Sequence, residues 1–201
     1  MISIIDYGAG NLHSVQNALS FLGIEGVITD DPEKILGSDK IILPGVGAFG
    51  NAMEALNSTG LTDVIKKAVE IDKPILGICL GMQLFFEESE EAPGVEGLGI
   101  LKGRFVKIPK NPGIKIPHMG WNSLEISGSS RILKDIGDEP YVYFVHSYYL
   151  EPEDSTVVSA YTEYGKKIAV AAESGNIFAT QFHPEKSGDT GIKILKNFIE
   201  L

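Results

Sequence analysis

Short apolar strands alternate with helical stretches through the first eighty residues, and this alternation narrows the possible folds more than any other feature. Ile2–Ile5 reads as a strand and leads through Tyr7-Gly8-Ala9-Gly10 into a helix over Asn11–Leu22. Strands follow at Gly26–Thr29 and Lys40–Leu43, then a helical region from Phe49 to Ile71 with a break at Ser58-Thr59-Gly60. A strand at Ile75–Ile78 gives way to apolar residues at helical spacing from Leu80 to Glu88. Alternation of this kind implies a parallel sheet covered by helices on both faces. The second half is strand-rich, with candidates at Phe105–Ile108, Ser123–Ile126, Tyr141–Leu150, Thr156–Tyr161, Ile168–Ala172 and Ile177–Phe182. Ile192, Leu195 and Ile199 mark a closing helix from about Asp189 to Glu200. The expected architecture is α/β, one domain over residues 1–201.

Gly77-Ile78-Cys79-Leu80-Gly81 places the only cysteine where the fourth strand turns into a helix. A nucleophile between two glycines at such a junction has the form of the nucleophile elbow, with sulfur in place of oxygen. The helix N-terminus behind the sulfur favours the thiolate, the reactive form. The next backbone N–H, on Leu80, would point at a developing oxyanion. Taken alone, Cys79 reads equally well as a small buried hydrophobe.

Gln181-Phe182-His183-Pro184-Glu185-Lys186-Ser187 follows the last strand and precedes the terminal helix. Pro184 biases His183 toward an extended backbone. Residues two apart in an extended segment project to one side, so His183 and Glu185 are expected to face one pocket. An imidazole near a thiol, oriented by a carboxylate, is the logic of nucleophile, base and orienter. Gln83 lies one helical turn after Cys79 on the same face and reads as a substrate contact or as an ordinary solvated glutamine.

Gly45-Val46-Gly47-Ala48-Phe49-Gly50 matches the dinucleotide-binding pattern literally, but such a site also needs an acid at the end of the next strand. Glu70 and Asp72 precede the strand at Ile75 instead, and no cofactor is expected. A net charge of −10 argues against nucleic acid and anionic membranes as partners. Met1–Asp6 is a strand with no basic signal region, and a single Cys excludes an internal disulfide and fits a reducing cytoplasm. The acidic run Glu87–Glu91 reads as the end of a helix continuing into a solvated loop.

Gly77-Ile78-Cys79-Leu80-Gly81-Met82-Gln83 together with His183-Pro184-Glu185 resembles the class I, triad-type glutamine amidotransferases. Pro44-Gly45-Val46-Gly47-Ala48-Phe49-Gly50, Pro117-His118-Met119-Gly120-Trp121-Asn122 and His183-Pro184-Glu185-Lys186-Ser187 narrow the resemblance to the glutaminase subunits of imidazole glycerol phosphate synthases. It runs over the whole chain and implies a flavodoxin-like fold with extra antiparallel strands in the second half. It further implies a catalytic triad of Cys79, His183 and Glu185, an oxyanion hole from the Val46 and Leu80 N–H groups, and glutamine held by Gly47, Gln83, His146, Ser147 and Tyr148. Its implied partner is the (β/α)₈-barrel cyclase subunit, contacted or supplied with ammonia through Asn11, His118, Met119, Trp121, Asn122, Tyr143 and Lys186. The residues alone leave His146 open as a structural histidine, and His118–Trp121, in a Pro/Gly-bounded loop running to Asn122, as a local core cluster. Two other readings share the elbow, a cysteine hydrolase and a redox-sensing thiol protein.

Overall fold

The computed structural model describes residues 1–201 and is built on one large twisted sheet. Chain order runs β1 (Ile2–Ile5), α1 (Leu12–Phe21), β2 (Gly26–Thr29), α2 (Pro32–Gly37), β3 (Lys40–Gly45), α3 (Phe49–Ser58), α4 (Leu61–Glu70), β4 (Ile75–Cys79) and α5 (Leu80–Leu84). It continues through β5 (Glu88–Ser89), β6 (Gly103–Lys107), β7 (His118–Ser123), β8 (Glu125–Ile126), β9 (Tyr141–His146) and β10 (Tyr148–Pro152). The last elements are β11 (Val158–Glu163), β12 (Lys167–Ser174), β13 (Ile177–Thr180) and α6 (Gly188–Ile199). The large sheet has the order β2-β1-β3-β4-β13-β12-β10-β6-β5, with β11 and β8 attached beside β12, and β7 and β9 form a separate antiparallel pair.

The expected parallel half is present: β2, β1, β3, β4 and β13 are all parallel neighbours. The strand-rich half then joins by antiparallel pairing of β13, β12, β10 and β6. Alternate residues of each parallel strand feed opposite faces, as a pleated strand requires. Ile4, Ile42, Leu76 and Phe178 join one apolar cluster with α1 and α6, whereas Ile5, Ile41, Leu43, Ile75 and Ala179 join another with α3, α4 and α5. No helix is long and apolar enough to cross a membrane.

Four local expectations are corrected. A short helix, α2, was not expected; it is started by Asp31, whose carboxylate accepts from the Glu33 N–H at 3.0 Å, with Pro32 at its first position. The elbow helix ends at Leu84 and does not reach Glu88. Its would-be carbonyl acceptors, from Leu84 to Glu87, take N–H groups from Gly97 to Leu101 instead. The acidic run is not simply solvated, because Glu87, Glu90 and Glu91 accept from the backbone N–H groups of Gly103, Lys107 and Phe49. Tyr141–Leu150 is not one strand but two, broken at Ser147, with β9 in the small sheet and β10 in the large one.

The segment His118–Asn122, expected as a loop, is most of β7 and pairs in register with β9 from His118↔His146 to Ser123↔Tyr141. Its alternation is inverted: His118 is buried while Met119 and Trp121 stand out in solvent. An apolar-in pattern would place Met119 and Trp121 inside, which is why the strand is hard to read from composition.

Candidate active site

Because β3, β4 and β13 are parallel neighbours, their C-terminal ends lie along one edge of the sheet. Gly45 is in register with Cys79, and Ile78 with Thr180, three residues before His183. Ligands of open α/β sheets bind at such an edge. Cys79 ends β4 with φ +56° and ψ −109°, a region that side chains with a Cβ rarely adopt. The glycines around it allow this. A Cβ on Gly81 would stand 1.9 Å from the Leu43 carbonyl oxygen, and one on Gly77 would stand 2.7 Å from the Gly81 carbonyl oxygen. The start of α5 therefore lies against β3 and β4 at backbone contact. The sulfur opens onto a cavity of about 290 Å³ whose walls include Val46, Gly47, Leu80, Gln83, Ser147, Tyr148 and His183.

His183 and Glu185 do meet, but not by strand alternation. His183 is extended (φ −98°, ψ 97°), and Pro184–Lys186 forms a 3₁₀ turn that folds the carboxylate back onto the ring. Glu185 Oε1 lies 2.8 Å from His183 Nδ1, with both side chains almost completely buried. This leaves Nε2, buried and without a regular hydrogen bond, as the nitrogen available to Cys79. Burial opposes charge on the imidazole, but the Cys79 sulfur and the Glu185 carboxylate outweigh it and hold the imidazolium up to about 9. The backbone is pinned as well: the His183 N–H donates to Tyr143 O at 3.0 Å, and the Ser187 hydroxyl donates to His183 O at 2.6 Å. Ser187, with no role assigned from sequence, also accepts the Tyr143 N–H at 2.9 Å.

Gln181 is a second residue that sequence reasoning left without a role. It is fully buried, its Nε2 is 3.7 Å from the Cys79 sulfur, and its Oε1 accepts from Gln83 Nε2 at 3.2 Å. Its position directly before Phe182-His183 was the available signal. Gln83 is therefore buried and not solvated. The Val46 N–H, outside any strand, has no hydrogen-bond acceptor within the chain. Glu91, also on the cavity wall, accepts from the Phe49 N–H at 2.8 Å and closes the start of α3. Tyr7 sits beneath Gly45 with a buried, unpaired hydroxyl, whose pKa burial and then Cys79 push well above the usual phenol value, so it stays protonated.

The residues expected at a partner surface divide. Met119 and Trp121 are exposed on one face of β7; Trp121 meets the Tyr143 ring edge-on at 6.2 Å, and its ring tip lies next to Gly188, close to the exposed Lys186. His118, in contrast, is only 2% exposed and belongs to the interior. Asn122 donates to Glu163 O at 2.9 Å, and Asn11 accepts from the Ser14 hydroxyl at 2.8 Å. Two wider clefts, of about 970 and 710 Å³, lie away from the sulfur, one beside Glu96 and Arg104 and the other beside Arg131 and Glu173. No group of three or more His, Cys, Asp or Glu side chains converges as metal ligands would.

A strand-edge cysteine, a buried His–Glu pair and this sheet order define a class. The family model for glutamine amidotransferase class-I matches residues 3–201, and the chain belongs to that family. Within it, the chain is 51% identical to the imidazole glycerol phosphate synthase subunit HisH of Methanothermobacter thermautotrophicus, over all of this chain and 98% of that one. It is 53% identical, with the same coverage, to the subunit of that name from Caldanaerobacter subterraneus subsp. tengcongensis. Among solved structures, the fold matches a glutamine amidotransferase with a TM-score of 0.78 at 22% identity, covering 99% of this chain and 97% of the other. It matches PurLQS from Thermotoga maritima with a TM-score of 0.77, at the same identity and coverage.

Proposed function

We propose that this chain is the glutaminase subunit of an imidazole glycerol phosphate synthase in histidine biosynthesis, working in the cytoplasm with a (β/α)₈-barrel cyclase. The observation that carries the chemistry is the meeting of Cys79 with the buried His183–Glu185 pair on one small cavity. Cys79 attacks the carboxamide carbon of glutamine, and the Leu80 N–H, joined by that of Val46, holds the oxyanion. His183 gives its proton to the departing nitrogen and releases ammonia, leaving a thioester. It then takes a proton from the attacking water; the carbon–sulfur bond breaks, and glutamate is released. Neutral ammonia is the useful nucleophile, and exposure to bulk water would protonate and disperse it. That is the physical reason for a closely docked acceptor, which would make imidazole glycerol phosphate and an aminoimidazole carboxamide ribotide.

Glu185 tests the triad. Glu185→Gln keeps the side-chain shape but removes the negative charge that helps hold the imidazolium. Its alkaline limb of glutamine hydrolysis should fall by about one pH unit, because the proton His183 must donate is lost at lower pH. The wild-type limb should lie near the value of about 9 that the site holds. A pH–rate profile of glutamate release checks this, and an unmoved limb with wild-type turnover would put Glu185 outside the triad.

Trp121 tests the partner surface. It is more than half exposed, against Tyr143 and next to Gly188 at the start of α6. Trp121→Ala should weaken cyclase binding by about 2 kcal/mol, as loss of a central aromatic anchor does, with the melting temperature nearly unchanged. Titration calorimetry with the cyclase subunit decides it; unchanged affinity would remove Trp121 from the interface.

A further inference from the structure

We infer that His118 is a positioning residue for the glutamine pocket, acting through a one-directional hydrogen-bond relay that runs Asn122–His118–His146–Tyr148; the inference rests on the glutaminase reading above. His118 and His146 face each other at the end of the small sheet, 2% and 5% exposed. His146 Nδ1 lies 2.8 Å from Tyr148 O, which can only accept, so this nitrogen carries the proton. A neutral His146 then offers Nε2 as acceptor, and it receives His118 Nδ1–H at 2.9 Å. A neutral His118 in turn accepts at Nε2 from Asn122 Nδ2, at 3.3 Å. The Asn122 amide is oriented independently, since its Nδ2 also donates to Glu163 O at 2.9 Å and its Oδ1 accepts the Ser123 N–H at 2.9 Å. Burial keeps both rings uncharged over the physiological range, with His118 lowered to about 4 and His146 to about 3. The His118 ring is further fixed between Tyr164 and Phe144, stacked at centroid distances of 3.9 and 4.6 Å.

The relay ends on the backbone that shapes the pocket. Ser147 is the break between β9 and β10, and the bond from His146 to Tyr148 O spans that corner. Val145 O, on the near side of the corner, is 3.9 Å from the Cys79 sulfur, and Ser147 and Tyr148 line the cavity. Both ring nitrogens of His146 are committed, so its imidazole has no N–H left for a ligand. In this reading His146, which also lines the cavity, serves the expected glutamine contact through its backbone while its ring shapes the corner. The outer end of the relay is β7, which also presents Met119 and Trp121 to solvent.

The test uses the complex with the cyclase subunit and its nucleotide ligand, and glutamine as the titrated substrate. His118→Phe keeps the stacked ring but removes the donor to His146, whereas His118→Asn restores an N–H near the Nδ1 position. His118→Phe should raise KM for glutamine about tenfold with kcat changed less than about twofold, the pattern of lost uniform binding from one unmade buried hydrogen bond. His118→Asn should recover most of that loss. Imidazole nitrogen NMR of the wild-type chain should show both rings neutral and protonated at Nδ1. An unchanged KM in His118→Phe, equal impairment of the Phe and Asn variants, or a proton on Nε2 of His146 would overturn the assignment. Absence of glutaminase activity in the wild type would sink the functional reading and the positioning role with it, while the tautomers would still report on the relay itself.

Discussion

Cys79→Ala is expected to abolish imidazole glycerol phosphate synthesis from glutamine, by about 10⁴-fold or more, while synthesis from ammonium salt by the same complex stays close to wild type. The sulfur is the only thiol in the chain, and the serine on the cavity wall, Ser147, lies at the β9–β10 corner and not at the elbow. Alanine inherits the positive φ of Cys79 without removing the glycine contacts that impose it, so the elbow and the partner surface persist. The measurement is product formation with each nitrogen source, alongside the cyclase affinity of the variant. Equal loss with glutamine and with ammonia would show that Cys79 supports the assembly and not the release of ammonia.

Gly47→Val is expected to cut partner-stimulated glutamine hydrolysis by about 10²–10³-fold, the usual loss when one oxyanion donor is missing, with little change in cyclase affinity. The glycines on either side of Val46 differ in kind. Gly45 is bare because Tyr7, Leu80 and Gly81 crowd it, with a built Cβ only 2.6 Å from the Tyr7 hydroxyl. Gly47 has open space around it but sits at φ +102°, where a β-branched residue is strongly disfavoured. The Val46 N–H belongs to the Gly45–Val46 peptide and turns with Gly45 ψ and Val46 φ, while Gly47, with open space at positive φ, takes up the compensating change in the following peptide. The Val46 N–H, which has no acceptor in this structure, is then free to be turned toward or away from the reacting carbonyl. A nucleotide bound to the cyclase can drive that turn only by favouring the donor-inward state. The wild-type chain should accordingly release glutamate slowly alone and quickly with cyclase and nucleotide. Equal rates for the free chain, the complex and the liganded complex would refute the gate even with the triad intact.

Much of this was legible in the linear chain because its carriers are local. Parallel strands announce themselves by intervening helices; the helix break near Gly60 and the elbow at Gly77–Gly81 follow from glycine spacing; Pro184 marks the turn that presents His183. The candidate trio was legible as residue types for the same reason, Cys79 on one short motif and His183 with Glu185 on another. Other features had no local carrier. Cys79 and His183 are brought together because β4 and β13 are parallel neighbours with Ile78 beside Thr180, a pairing across about a hundred residues that no periodicity encodes. The His183–Glu185 contact was anticipated for the wrong reason, since a 3₁₀ turn and not a strand supplies it.

The buried polar residues were the least legible, and the reason is energetic. A glutamine or histidine enters the interior only when its hydrogen bonds are met there, and the partners lie on distant segments. Gln83 is buried because Gln181 accepts its amide, and His118 because His146, Asn122 and two aromatic rings surround it. By itself the sequence determined the parallel sheet, the elbow and the candidate reacting groups, because short-range sterics and hydrophobic period are written residue by residue. Only the tertiary structure decided which polar side chains turn inward, how Tyr141–Leu150 divides between two sheets, and which residues of His118–Asn122 face solvent, because each depends on satisfying donors and acceptors across strands that meet only after folding.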